Sequence, residues 1–192
     1  MIPYFKEPIK SSSRHIVIFL LIVLPGFMYG QGLVHLDQDF ELGLPSLYIK
    51  LPGKPEPMET RIQPSMLDII MAYYAYDYKD LDKGIVIMLL ATSYAQQIHP
   101  DFTIISDQTI RELESRGALS VKYKTTSINV EGKKGIRQKG TLVSKSDNMD
   151  FTTTILQQGN NVWKVIIYAR TGDADAKQTA EAIMDSITFK EK

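Results

Sequence analysis

The sequence predicts an α+β fold: a mainly antiparallel sheet with two principal helices, preceded by a signal peptide. Three observations carry this expectation. Four strand-length segments between Val121 and Ala169 are separated by short turn signals, the pattern of a meander. Two helical segments, Ser106 to Arg116 and Asp175 to Ser186, begin with capping residues. At the front of the chain, Lys6, Lys10 and Arg14 precede an unbroken apolar run from Ile16 to Leu24, and Pro25-Gly26 ends it before the small residues Gly30 and Gly32.

That front segment has the basic, apolar and small-residue parts of a secretory signal. Counted generously to Tyr29, the run is shorter than the roughly 20 residues a membrane-spanning helix needs. Cleavage is therefore expected rather than anchoring, between Tyr29 and Leu33 and most readily before Gln31. A lipid anchor would require a cysteine, and the chain has none. Residues 1–30 are thus read as signal peptide, 31–44 as a linker and 45–190 as one domain.

The elements of that domain follow in order. Leu33 to Pro45, with Asp37, Asp39 and Glu41, reads as a flexible or edge lead. Leu47 to Leu51 is a short strand ended by Pro52-Gly53. Pro55, Pro57 and Pro64 then mark an extended edge or loop, because proline donates no ladder hydrogen bond. Leu67 to Tyr78 is a strand by its alternation: Ile70, Ala72, Tyr74, Tyr76 and Tyr78 share one face. Asp80 to Gly84 is a turn. Ile85 to Tyr94 is apolar at nearly every position, as suits a strand covered on both faces. In the first helix, Ser106 or Asp107 supplies the cap, Gly117 the stop, and Ile110 and Leu113 a thin inward stripe. The meander runs Val121 to Val130, Gly135 to Ser144, Phe151 to Gln158 and Val162 to Ala169, with turns at Glu131-Gly132, Asp147-Asn148 and Gly159-Asn160. The second helix repeats Ala176, Ala180, Ile183 and Met184 at spacings of three and four. Ile187 to Phe189 is a last short strand.

This order of elements resembles the PsbP-like superfamily, which includes the DcrB-like envelope proteins. The strand running into Leu51-Pro52-Gly53-Lys54-Pro55 is similar to the start of many exported members. The ending Ile183-Met184, then Ser186-Ile187-Thr188-Phe189, resembles their closing helix and short strand. The resemblance covers about residues 44–190. It implies an α/β/α sandwich around the sheet and a family of mostly non-enzymatic binding or assembly factors. It brings no catalytic residues.

Composition narrows the function. Loss of residues 1–30 takes Lys6, Lys10, Arg14 and Glu7 with it and leaves a net charge of about −2. Such a balance gives no footprint for nucleic acid and no strong pull toward anionic lipid. Contact with a membrane is expected only in transit, through the signal peptide. Without cysteine there is no disulfide framework, thiolate metal site or thiol nucleophile.

The candidate sites each compete with a plainer role. His99-Pro100-Asp101 sets an imidazole beside a carboxylate, which suits a small hydrolase; the plainer reading is a loop histidine and a turn cap. Asp80-Leu81-Asp82-Lys83-Gly84 and Gly172-Asp173-Ala174-Asp175 lack the further carboxylates of a calcium loop. No metal and no cofactor is expected. Lys122, Lys124, Lys133, Lys134, Arg137, Lys139 and Lys145 form a basic cluster, either an anion-binding patch or a lysine-guarded edge. Tyr74, Tyr76, Tyr78, Trp163 and Tyr168 are the candidate ligand-binding aromatics; the plainer reading is a half-buried sheet face under a helix. The expected function is a secreted or periplasmic, non-catalytic binding or assembly factor of the bacterial cell envelope, holding an envelope protein or small ligand. The alternatives are a hydrolase using His99 and Asp101, or a purely structural envelope protein.

Overall fold

Two short turns set the register of the long strands. At Glu131-Gly132 both residues have positive φ (49° and 83°), the two-residue hairpin that matches the right-handed twist of its strands. The Asn129 side chain accepts from the Gly132 N–H at 2.8 Å. Gly159 (φ 59°) opens a second two-residue turn, between Gln158 and Asn161. A computed structural model of the protein describes residues 35–59, 62, 64–115, 118–144 and 148–189. The signal peptide, its cleavage point, Lys145 and the helix stop expected at Gly117 lie outside the described residues.

The elements are β1 (Gln38–Leu42), β2 (Leu47–Leu51), β3 (Glu56–Pro57), β4 (Ile70–Asp80), β5 (Ile85–Tyr94), α1 (Phe102–Ser115), β6 (Ser120–Val130), β7 (Lys133–Val143), β8 (Asn148–Gln158), β9 (Asn161–Arg170) and α2 (Ala174–Asp185). The fold is α+β. β1 and β2 form their own hairpin, and the other strands form one antiparallel sheet in the order β3-β4-β5-β9-β8-β7-β6.

The hairpin and α2 cover one face of the sheet. There Leu42, Leu47, Ile49 and Leu51 meet Ile85, Ile87 and Leu89 of β5, Val165 and Ile167 of β9, and Ile183 and Met184 of α2. Full burial of one such side chain contributes about 1.5–3 kcal/mol. α2 starts where Asp173 accepts from the Ala176 N–H at 3.0 Å. At its other end Arg137 reaches across from β7, donating to the Met184 carbonyl (3.3 Å) and to Thr154 Oγ1 (3.1 Å). The guanidinium thereby satisfies a carbonyl left open at the helix end. α1 lies on the opposite face, where Ile110 and Leu113 pack against Phe151 in a much smaller cluster.

Four expectations are corrected. The supposed linker contains β1, whose Leu42 is fully buried; the fold is already under way at Gln38, ahead of residue 45. α1 starts a turn earlier than expected, because Asp101 caps it by accepting from the Thr103 N–H at 2.6 Å. Ser106 is instead buried inside α1 and accepts from Gln138 Nε2 at 2.8 Å. β4 starts at Ile70 because a 3-10 turn over Pro64–Met66 holds the preceding chain, and its register slips between Ile70 and Ala72. The final strand is reduced to one bridge, Thr188 to Tyr48.

At the β4–β5 turn, the Lys83 N–H donates to Asp80 Oδ1 at 3.0 Å and holds that carboxyl below its usual range. The turn gains this stabilisation above the unfolded carboxyl pKa and loses it as pH falls through the lowered folded value.

Beneath α1, the fully buried Gln138 and Thr153 are cross-strand partners, and among the described residues Gln138 Oε1 and Thr153 Oγ1 have no hydrogen-bond partner. A buried unpaired hydroxyl costs about 1–3 kcal/mol. Thr153→Val keeps the shape and removes that hydroxyl, so the chemical denaturation midpoint is expected to rise by about 1 kcal/mol equivalent. A fall would overturn this account of the site.

Candidate functional site

An antiparallel sheet spaces its strands about 4.8 Å apart, and a helix is about 10 Å across. One helix therefore shields about two strands. On the α2 face the β1–β2 hairpin supplies the missing cover. On the α1 face nothing among the described residues does, and β4, β5 and β9 present an open groove beside the helix.

Its floor is made of alternate residues from the central strands: Met88 and Leu90 of β5, Ile166 and Tyr168 of β9. Tyr73 of β4 and Met58 form the far wall, and Leu113 of α1 the near one. The groove continues past Val86 and Leu142 into a depression of about 340 Å³ that shares Met58, Met88, Leu113 and Tyr168. The floor is thus apolar, and the Met58 and Met88 side chains can adapt to other apolar groups.

Polar side chains complete the lining. Lys164 of β9, only 16% exposed, lies 3.5 Å from Glu112 and 3.4 Å from Thr109 Oγ1 on α1. Burial, followed by the Glu112 carboxylate and Tyr94, pushes the Tyr73 phenol above its ordinary value. Tyr73 therefore stays a protonated donor throughout the neutral range. At the groove's other end Asp77 and Lys79 pair at 2.5 Å.

The structure separates the five candidate aromatics. Tyr74, Tyr76 and Tyr78 pack on the main core under the hairpin, with Phe40 edge-on to Tyr76 at 5.0 Å. Trp163 is 1% exposed; its Nε1 donates to the Leu42 carbonyl at 3.2 Å and its ring meets Phe189 edge-on at 4.9 Å. Only Tyr168 lies on the other face, in the groove. His99 and Asp101 stay adjacent on the loop before α1, both exposed, with the Asp101 carboxylate occupied by the helix cap. No hydrogen bond joins them among the described residues. Nor do any three His, Asp or Glu side chains among those residues converge as a metal site.

The backbone aligns with that of the cyanobacterial PsbP, CyanoP, from Synechocystis sp. PCC 6803, with a TM-score of 0.56 over 80% of this chain and 92% of that one. The fold is that of PsbP. Sequence identity to CyanoP is 7%, so what PsbP shares with this chain is its architecture. Two solved structures match less closely. LpqN of Mycobacterium tuberculosis, described as involved in cell envelope biogenesis, aligns at TM-score 0.49 and 16% identity over 79% of this chain and 90% of its own. PA94 of Pseudomonas aeruginosa, a protein of unknown function described as a putative regulator, aligns at 0.45 and 11% over 73% and 100%. No family model and no curated protein matches the sequence. In this PsbP-like domain the groove was missed at the sequence level. The signal for it was the apolar character of both faces of β5 beside a first helix with only a thin stripe.

Proposed function

We propose that the protein is an exported, non-catalytic binding or assembly factor of the bacterial cell envelope, and that it holds its partner in the groove beside α1. The observation that carries this reading is the half-buried apolar floor of β5 and β9, which the single helix on that face leaves open. The basic and apolar leader supports export, and no helix among the described residues is long and apolar enough to cross a membrane. The PsbP-like architecture is consistent with a binding role. The grooved face offers apolar contact and a few fixed polar groups, which suits recognition.

A photo-crosslinking amino acid at position 88, expressed in the native host, tests the groove. It is expected to give a discrete adduct that the same probe at exposed Leu81 does not give. No adduct, or the same adduct from both positions, overturns the groove as the binding site. Intact mass of the purified protein should show the loss of about thirty residues; full-length protein in the cytosol overturns export.

A further inference from the structure

We propose that β6 is an open docking edge for an extended, acidic segment of a partner protein, which adds to the sheet as a further strand. The sheet ends in β3 on one side and β6 on the other. β3 is two residues long, contains Pro57 and follows Pro55, so it offers little to pair with. β6 is 11 residues long, contains no proline, and is exposed at every position from Lys122 to Ser127. Such an edge carries a row of backbone donors and acceptors facing outward.

Charge selects what can pair there. Alternation places Lys122 and Lys124 of β6 on the same face as Lys139 of β7, and the register sets Lys124 directly opposite Lys139. Like charges directly opposite each other destabilise a sheet. Among the described residues the one ion pair these three make is that of Lys139 with Glu181 of α2, at 3.8 Å with both side chains about half exposed; Lys122 and Lys124 have none there. A second copy of β6 would bring further lysines against these and be repelled. An incoming strand with carboxylates at alternate positions would relieve the repulsion. On the opposite face Tyr123, 46% exposed, offers apolar contact to the residues between those carboxylates. The complementary segment is therefore one that alternates acidic and apolar side chains in extended form, joined by main-chain hydrogen bonds.

The test uses the full chain and a fluorescein-labelled Glu-Val-Glu-Val-Glu-Val peptide, read by anisotropy. Saturable binding that weakens with salt is expected, with a loss of about tenfold in Lys122→Glu/Lys124→Glu. A Lys-Val-Lys-Val-Lys-Val peptide should bind that double variant and not the parent, and an unchanged circular dichroism spectrum and denaturation midpoint show the variant to be folded. The acidic peptide with alternate backbone nitrogens methylated should not bind. Equal binding of the methylated peptide would reduce the effect to bulk charge and overturn strand addition. Binding of phosphatidylglycerol vesicles without binding of the peptide would overturn it in favour of a lipid surface. The groove beside α1 has no part in this experiment, so either proposal can fail alone.

Discussion

Replacing Trp163 with alanine is expected to cost about 4 kcal/mol and to leave a domain of this size largely unfolded near 37 °C. The indole is the largest fully buried side chain in the protein. It closes the space between the β1–β2 hairpin and the C-terminal segment, with Phe189 against its ring and Leu42 bonded to its nitrogen. Alanine would leave a cavity and strand the Leu42 carbonyl without its donor. Packing beside it is already close: a Cβ added at Gly43 would come within 3.1 Å of Trp163 Nε1. Trp163→Phe should cost less, about 1–3 kcal/mol, since it keeps most of the ring and loses the hydrogen bond. Denaturation followed by circular dichroism checks both. A Trp163→Ala midpoint within about 0.5 kcal/mol of the parent would return this residue to a surface role.

The second large effect is expected at Gly140. It sits on β7 between Tyr123 of β6 and Phe151 of β8. A Cβ there would lie 2.1 Å from the Lys122 carbonyl oxygen and 2.8 Å from the Tyr123 Cα. Both obstacles are backbone, so no side-chain rotation relieves them. Gly140→Val is expected to push β6 away from β7 at a cost of about 3 kcal/mol, the upper end of overpacking effects. Amide exchange should accelerate in β6 ahead of β5 and β9. Gly132→Ala is the contrast: open space surrounds it, and only its φ of 83° resists, so about 1 kcal/mol is expected there. Equal, small effects at both glycines would overturn the steric argument.

The meander was legible in the sequence because its instructions are local. Glu131-Gly132 and Gly159-Asn160 fix turn type within a few residues, and turn type fixes register. α2 was legible for the same reason: its cap and its apolar stripe lie within one segment. β1 was not. Its alternation, Phe40 and Leu42 against Asp39 and Glu41, is short and half polar, and only its pairing with β2 and burial under Trp163 make it a strand. The start of α1 depended on which of several capping residues acts first, a competition that Asp101 wins. For the aromatic candidates, period two correctly grouped Tyr74, Tyr76 and Tyr78 on one side of β4. Which side the hairpin would cover is a tertiary choice that alternation does not encode, and it separates Tyr168 from the other four.

The N-terminal hairpin has a consequence for how the polypeptide matures. Leu42, Leu47, Ile49 and Leu51 find their partners on β5, on β9 and in the last residues before Phe189, and Thr188 bridges back to Tyr48. A chain delivered vectorially, first residue first, exposes these four side chains long before the surfaces that receive them exist. Native closure must therefore wait for nearly the whole length to emerge. Until then the apolar side chains of the hairpin stay uncovered and open to holdase chaperones.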